Sequence, residues 1–239
     1  YASGDKETLQ LPQVQLDLME AMAESGKPVV LCLMAGSDID LSYAEEHFDA
    51  VMVLWYPGAE GGKAAARVLF GDVSPSGKLP VTFYNTLEEL PDFTDYAMKG
   101  RTYRYMTETP LFPFGHGLSY TTFQYGNASL NTSEIKDGEQ VTLTIPVSNT
   151  GKYDGEEVVQ VYLRHPGDKE GPSHALRAFK RVAIAKGATN NVTIPLSKEN
   201  FEWFDTSTNT MRPIEGDYEI LYGGTSELKQ LKSIPVTIK

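Results

Sequence analysis

Histidine is the side chain best suited to proton transfer near neutral pH, and this chain has four. They lie at His47, His116, His165 and His174, outside any HExxH motif or other metal-ligand spacing, so the sequence predicts no metal site and no cofactor. His116, in the stretch FPFGHGLSY, is the most suggestive candidate for acid–base catalysis. Its glycine neighbours favour a structural role in a tight aromatic turn, and a hydrolase that uses His116 stays open as a minor alternative.

Motifs for a nucleophile or for a bound phosphate are incomplete. No GxSxG elbow is present. The stretch GAEGGKAAARV is one residue too short for a phosphate-binding loop, and Ala64 replaces the hydroxyl that would bind magnesium, so a structural turn is favoured over an anion site. The acidic pairs Glu45-Glu46, Glu88-Glu89 and Glu156-Glu157 are typical of solvated faces. The motifs therefore indicate no catalytic residue in this chain.

Composition limits the classes of partner. The net charge of −11 repels phosphate backbones, so no nucleic acid partner is expected. Apolar residues make up 41% of the chain, but no run approaches the ~20 residues of a membrane span, so no membrane partner is expected either. The single cysteine, Cys32, lies in the apolar run PVVLCLMAG and is predicted to be a buried, inert thiol.

The first part of the chain alternates helical and strand patterns. QVQLDLMEAMAESG has apolar residues at helical spacing, with Pro12 ahead of it and Gly26 behind it. The apolar runs KPVVLCLMAG and DAVMVLWYPG predict strands buried on both faces, GKLPVTFY predicts a third strand, and DLSYAEEHF and AEGGKAAARVLFGD predict helices. This order is typical of a mainly parallel α/β sheet, which usually has about five strands. We therefore expect only the C-terminal half of an α/β domain.

From Tyr120 onward, about seven short stretches alternate apolar and polar residues between turn signals, which predicts an antiparallel β-sandwich. A connector rich in proline, glycine and aromatic residues precedes it. The predicted organisation is an α/β domain over 1–84, a connector packed on both domains over 85–119, and an all-β domain over 120–239.

Several long stretches resemble the signatures of glycoside hydrolase family 3. They are AVMVLWYPGAEGGKAAARVLFGDVSPSGKLPVTFY, PLFPFGHGLSYTTF, ALRAFKRVAI, EGDYEILYGGTS and the opening SGDKETLQLPQVQLDLMEAM. The resemblance covers essentially the whole chain and implies a partial, mainly parallel α/β sandwich domain followed by a fibronectin type III-like β-sandwich. YAMKGRTYRYMTETPLFPFGHGLSY is most similar to the β-xylosidase/arabinosidase subgroup, with the β-glucosidases as close neighbours.

This resemblance implies a retaining, exo-acting glycosidase that removes β-xylosyl or β-glucosyl residues from oligosaccharides with two carboxylates. The nucleophilic aspartate would belong to a barrel domain absent from this chain, and the acid/base glutamate would lie a few residues before Tyr1. No catalytic residue is therefore expected here. Asp5 and Lys6 would lie near the active-site loop, although Lys6 departs from the family's arginine and Glu7 does not occupy the glutamate position.

The same resemblance implies partners and a location. The partners would be the N-terminal barrel, the first half of the α/β sandwich and an oligosaccharide substrate, and a homodimer is allowed. The location would be periplasmic or secreted. The alternative from another class is a stand-alone, non-catalytic module that binds carbohydrate or protein.

Overall fold

The computed structural model describes residues 6–136 and 139–239, which form two compact units. The first unit contains the described residues up to Val73 together with Val81–Arg101 and Thr107–Pro113, and the second contains Ser74–Pro80, Thr102–Met106 and Phe114–Lys239. The chain therefore passes between the units after residues 73, 80, 101, 106 and 113. Residues 74–80, placed by the sequence in the α/β domain, and two pieces of the predicted connector belong to the second unit.

The first unit contains three helices, a 3-10 turn and one parallel strand pair. In chain order these are α1 (Gln13–Ala23), β1 (Val30–Leu33), α2 (Ser42–His47), β2 (Ala50–Val53), α3 (Gly61–Leu69) and the 3-10 turn Leu87–Glu89. The pairing of β1 with β2 is parallel, and α1 begins directly after Pro12, as the sequence predicted. None of the described helices combines the length and apolarity that crossing a bilayer requires.

The predicted third strand is wrong. Within GKLPVTFY, only Phe83 forms a β-type pairing, an isolated antiparallel bridge to Phe112. The amide of Leu79 instead donates to the carbonyl of His116 at 2.8 Å, and the amide of Gly115 donates to the carbonyl of Leu79 at 2.8 Å. The backbone of this stretch is thus paired with a distant segment, and the sequence pattern could not reveal that partner.

The expectation of strands buried on both faces is also wrong for the described residues. In β1 only Leu33 is buried, and Cys32, predicted to be buried, is exposed. Successive side chains of a strand point to opposite faces, so Cys32 shares a face with Val30, which is 43% exposed. That face of β1 is open to solvent in the part of the chain that the structure describes.

The second unit is the predicted antiparallel β-sandwich. Its strands are β3 (Phe123–Tyr125), β4 (Ser129–Leu130), β5 (Glu134–Ile135), β6 (Val141–Asn149), β7 (Gly155–Arg164), β8 (Ala175–Ile184), β9 (Thr189–Leu196), β10 (Glu202–Asp205), β11 (Thr210–Pro213), β12 (Gly216–Gly223) and β13 (Lys232–Ile238). One sheet has the order β5-β13-β12-β7-β8, and in the other β6 pairs with β3, β4 and β9. Helix α4 (Thr102–Tyr105) and two 3-10 turns, Lys198–Phe201 and Leu228–Gln230, complete the unit.

The hydrophobic core of this unit lies between the two sheets. Alternate residues of β6, from Val141 to Val147, are fully buried and pack with residues of β7, β9 and β12. The hairpin of β10 and β11 and the short parallel pair of β5 with β13 were not predicted. Strands β5, β10 and β11 have only two to four residues, too short for an alternating pattern to stand out.

Strand β7 is buried on both faces, although its sequence was interpreted as alternating. Val161 faces the core, whereas Gln160 and Tyr162 are covered by connecting segments. The Gln160 side-chain amide donates to the carbonyl of Gly115 at 3.1 Å, and the Tyr162 ring lies 5.7 Å from the ring of Tyr103. Gly115 has a φ of +77°, and a Cβ atom there would lie 2.0 Å from the side-chain Oε1 of Gln160, so this position favours glycine.

A buried ion pair attaches residues 74–80 to this sandwich. The Nζ atom of Lys78 lies 3.4 Å from Oε2 of Glu157 on β7, with side chains 14% and 5% exposed. Lys78 Nζ also donates to the carbonyl of Gly117 at 2.8 Å, and the Tyr125 hydroxyl donates to Oε1 of Glu157 at 2.8 Å. Each buried charge therefore has a charged partner and a further hydrogen bond, which burial of an ion pair requires.

A buried histidine stabilises the same set of segments. His174 is 2% exposed, its Nε2 lies 2.9 Å from the carbonyl of Ser226, and its Nδ1 lies 2.8 Å from Oγ of Ser173. A carbonyl only accepts, so Nε2 carries the proton and Nδ1 accepts from Ser173. Burial lowers the pKa of His174 to about 4. His174 is thus a neutral structural residue.

Replacing Glu157 by Gln keeps an acceptor for Tyr125 but leaves the buried ammonium of Lys78 without its countercharge. We expect the free energy of unfolding to fall by about 3 kcal/mol, measured by chemical denaturation. The double variant E157Q/K78M should recover most of this loss. Glu156→Gln, which breaks the exposed pair of Glu156 with Arg181, is the matched control and should have little effect. An equal loss of the free energy of unfolding in E156Q and E157Q would contradict the assignment of Lys78 and Glu157 as a buried, stabilising ion pair.

His174→Gln supplies the same donor and acceptor but cannot titrate. Because the folded-state pKa of His174 is depressed, its contribution to stability is present above pH 6.5 and is lost as the pH falls towards 4. The free energy of unfolding of the unsubstituted chain should exceed that of H174Q at pH 7, and this difference should shrink between pH 7 and pH 4. A difference in the free energy of unfolding that does not change with pH would rule out a neutral, buried His174.

Candidate functional site

The carboxyl ends of β1 and β2 define the candidate site of the first unit. In open α/β sheets, ligands bind in the crevice outside the carboxyl ends of parallel strands. The acidic side chains that follow β1 here are Asp38 and Asp40, and the residues that follow β2 include Trp55 and Tyr56.

Asp38 occupies a half-buried position between two other segments of the unit. Its Oδ2 accepts from the amide of Tyr84 at 3.0 Å, and its backbone carbonyl accepts from Nζ of Lys6. Its Oδ1 is buried and has no hydrogen-bond partner among the described residues. Burial raises the pKa of Asp38 to about 6, against the opposing effects of the Tyr84 amide, the Lys6 charge and the Ile39 amide.

Asp40 forms hydrogen bonds with Leu9 and Gln10, in the segment that follows Lys6. Its amide donates to the carbonyl of Leu9 at 2.8 Å, and its Oδ2 accepts from Nε2 of Gln10 at 2.5 Å. Its Oδ1 accepts from the amide of Ser42 at 2.9 Å, at the beginning of α2. Both carboxylate oxygens of Asp40 are therefore engaged in structural hydrogen bonds.

Aromatic residues form the other side of this edge. Trp55, which has a φ of +54°, packs edge-on against Phe83 with ring centroids 6.3 Å apart. Phe83 is fully buried and exchanges two backbone hydrogen bonds with Phe112, at 2.9 and 3.2 Å. These contacts fix the position of Tyr84, whose amide reaches Asp38. A positive φ at a tryptophan is uncommon and is most often retained at functional sites.

Of the site residues inferred from sequence, Asp5 lies outside the described residues, and Lys6 contacts the carbonyl of Asp38. That either residue lies near an active site stays a prediction. Asp38 was not predicted from the sequence. A signal was present, because polar residues soon after a buried strand reach the ligand-binding edge of a parallel sheet. Its burial depends on Tyr84, 46 residues away, which no local pattern reveals.

The stretch that resembles a phosphate loop forms a turn followed by α3. Lys63 lies 3.4 Å from Glu60, and both side chains are largely exposed. A Cβ atom at Gly61 would lie 2.6 Å from Cβ of Pro57, so this glycine permits a close approach, as predicted for a structural turn.

The four histidines occupy separate environments. His116 is half-buried, its carbonyl accepts from Leu79, and burial lowers its pKa. The ring of His165 stacks on Tyr218 with centroids 4.3 Å apart, and the ring of His47 lies 4.3 Å from that of Tyr43. Across residues 6–136 and 139–239, no group of three or more histidine, cysteine, aspartate or glutamate side chains is arranged to hold a metal ion.

Two of the acidic pairs have structural partners as well. Glu89 accepts from Asn85 at 2.6 Å, and Glu156 lies 3.2 Å from Arg181. Together with Glu157 and Asp40, these carboxylates help to hold the fold together.

Comparison with known proteins finds two family models that match this chain. Residues 2–120 match the family model described as the glycosyl hydrolase family 3 C-terminal domain, and residues 157–226 match the fibronectin type III-like domain.

The similar proteins are glycosidases of much greater length. A xylan 1,4-beta-xylosidase of Xylanibacter ruminicola is 47% identical over 100% of this chain, which spans 27% of that protein. A periplasmic beta-glucosidase of Salmonella typhimurium is 34% identical over 86% of this chain, which spans 28% of it. The solved structure of a β-glucosidase from Erythrobacter marinus has a TM-score of 0.86 and 34% identity, covering 100% of this chain and 32% of its own. The chain thus spans about a quarter to a third of the length of these relatives.

The two matched models and the two-unit architecture lead to one conclusion: this chain belongs to glycoside hydrolase family 3, of which it carries the C-terminal domain and the fibronectin type III-like domain.

Proposed function

We propose that this chain is the C-terminal support of a retaining, exo-acting glycoside hydrolase. The whole enzyme removes β-xylosyl or β-glucosyl residues from the non-reducing ends of oligosaccharides. The observation that carries this proposal is the 47% identity with a xylan 1,4-beta-xylosidase along the full chain. Similarity to a beta-glucosidase at 34% identity supports the inclusion of β-glucosyl residues beside β-xylosyl residues in this proposal.

The described carboxylates support a structural role for this chain. A retaining mechanism needs two carboxyl groups about 5 Å apart, one free to attack the sugar and one free to transfer a proton. Both oxygens of Asp40 are engaged, and the unpartnered oxygen of Asp38 is enclosed. We therefore place the nucleophile and the acid/base in the part of the parent protein that precedes this chain.

An apolar stripe on α1 supports a partner within the same parent protein. Val14, Leu18 and Met22 recur every four residues and are 72%, 61% and 45% exposed. Three apolar residues on one helix face are usually covered. We propose that the first half of the α/β domain covers this stripe, with the barrel beside it. Oligosaccharide is the proposed substrate, and a homodimer is compatible with this arrangement.

The proposed location is the periplasm or the exterior of the cell. The support is that the similar beta-glucosidase of Salmonella typhimurium is periplasmic by name. Fractionation of cells that express the full-length parent would test this location.

Activity should require the full-length parent protein. We expect the parent to release nitrophenol from nitrophenyl β-xyloside or β-glucoside, and the isolated chain to release none above a heat-killed control, because the reactive carboxylates lie outside the chain. Hydrolysis by the isolated chain would contradict the scaffold role. Absence of hydrolysis by the folded parent on both substrates would contradict the proposed enzyme.

The apolar stripe on α1 should contact the first half of the α/β domain through apolar side chains. Leu18→Glu should reduce the binding of an apolar dye by the isolated chain and should lower its co-purification with the separately expressed preceding portion of the parent. Gln15→Glu, at an exposed position on the same helix, adds the same charge and should change neither. If Q15E and L18E behave alike, the stripe is not the contact surface.

A further inference from the structure

Arg101 organises the loop over residues 91–98, which follows the 3-10 turn of the first unit. Its Nη2 lies 2.9 Å from the carbonyl oxygen of Asp92 and 2.8 Å from that of Asp95, and its Nε donates to the carbonyl of Ala97 at 3.3 Å. A guanidinium group is planar and carries its donors in a fixed fork, so these bonds give the loop backbone one shape. Arg101 is the first arginine of GRTYRY, a stretch to which the proposed function assigns no role. We name residues 91–98 the aromatic loop.

Two aspartates fix the same loop from within. Oδ1 of Asp92 accepts from the amide of Thr94 at 2.8 Å and from its hydroxyl at 2.6 Å. Oδ1 of Asp95 accepts from the amide of Ala97 at 2.8 Å. These are the turns that a short carboxylate side chain forms with the backbone two residues on. Both aspartates are exposed and use only Oδ1 in these bonds, so Oδ2 of each can accept a hydrogen bond from a ligand.

The apolar side chains of the aromatic loop point into solvent. Phe93 is 62% exposed, Tyr96 is 91% exposed and Met98 is 46% exposed. Aromatic side chains on a backbone that is already fixed lose little conformational entropy when a ligand binds. The loop is therefore preorganised for recognition, and Tyr96 offers a large, rigid ring with a hydroxyl group at its tip.

The chemistry of the aromatic loop fits a neutral saccharide. A sugar ring has an apolar C–H face, which can lie on an aromatic ring, and hydroxyl groups at its rim, which can donate to carboxylates. An anionic ligand would be repelled by Asp92 and Asp95. An apolar protein surface would bury both carboxylates without a countercharge, which is strongly unfavourable. A saccharide with several hydroxyl groups satisfies the rings and the carboxylates together.

The aromatic loop also lies close in the chain to the candidate site. The amide of Tyr84 reaches Asp38, beyond the carboxyl end of β1. Asn85, the next residue, donates to Glu89 at 2.6 Å, and this bond spans the 3-10 turn. One compact turn therefore connects Tyr84 with the aromatic loop. Ligands of open α/β sheets bind at the carboxyl edge that Tyr84 reaches.

We propose that the aromatic loop binds the oligosaccharide substrate through Phe93 and Tyr96, and that Arg101 is the positioning residue that holds both rings in place. The identity of this ligand rests on the proposed function. Because that function removes one terminal sugar at carboxylates outside this chain, the loop contacts the sugars that follow the terminal one.

Steady-state kinetics of the full-length parent separates this contact from the chemistry. The substrates are xylotetraose or cellotetraose and the methyl β-glycoside of the same sugar, which has no second sugar to reach the loop. For Tyr96→Ala we expect kcat/KM on the tetrasaccharide to fall roughly tenfold, mostly through KM, with less than about a twofold change on the methyl glycoside. Tyr96→Phe keeps the ring and should retain most of the activity. Tyr153→Ala removes an exposed tyrosine of the second unit and, as the matched control, should change neither value.

Arg101→Lys keeps the charge but loses the fork that reaches three carbonyls. It should show the same selective loss on the tetrasaccharide, and the amide of Ala97 should become less protected against hydrogen exchange. Unchanged protection of Ala97 together with unchanged kinetics in R101K would overturn the positioning role of Arg101.

Three results would overturn the saccharide contact. They are equal losses of kcat/KM on the two substrates in Y96A, no loss on the tetrasaccharide, and failure of the Y96A chain to co-purify with the separately expressed preceding portion of the parent, which would make the loop a protein contact.

If the parent hydrolyses neither substrate, the proposed function fails by itself, and an NMR titration of this chain with xylotetraose and cellotetraose decides on the loop. Chemical shift changes over residues 93–98 that are lost in Y96A would support the saccharide contact. Shifts that stay constant at millimolar tetrasaccharide would overturn it.

Discussion

The ion pair between Lys78 and Glu157 is the constraint on which the second unit depends. Two charges removed from water are tolerated only when each faces the other and has further hydrogen bonds, and here Gly117 and Tyr125 supply them. The pair therefore fixes residues 74–80 and 114–119 on the sandwich. The stretch SPSGKLP, which has no chemistry of its own, thereby becomes part of the β-rich unit.

The two units differ in how completely they cover their own apolar residues. The sandwich has a closed core, and the outer face of β7 is covered by its own connecting segments through Gln160 and Tyr162. The α/β unit leaves the stripe on α1 and one face of β1 exposed. A sandwich with a closed core joined to an α/β unit with exposed apolar residues is the division that the proposed support of a larger enzyme would have.

The local sequence pattern was sufficient to predict a strand where buried and exposed residues alternate along many positions. β6 was predicted because every second residue from Val141 to Val147 faces the core, and α1 was predicted from helical spacing after Pro12. The third strand failed because Leu79 pairs with His116 rather than with β2. Asp38 was missed for a similar reason, since Tyr84 buries it from a distance. Long-range polar partners leave no periodic signal in the sequence.

Native-state hydrogen exchange at Leu79 and Gly115 tests the account most directly. Their amides close the pairing of residues 74–80 with residues 114–119, which the ion pair holds on the sandwich. Both amides should exchange only when the sandwich unfolds, with the same opening free energy and denaturant dependence as the amide of Val161 in β7. Exchange of Leu79 and Gly115 through a low-energy local opening, while Val161 stays protected, would show that these segments are attached to the surface of the unit and would contradict the account.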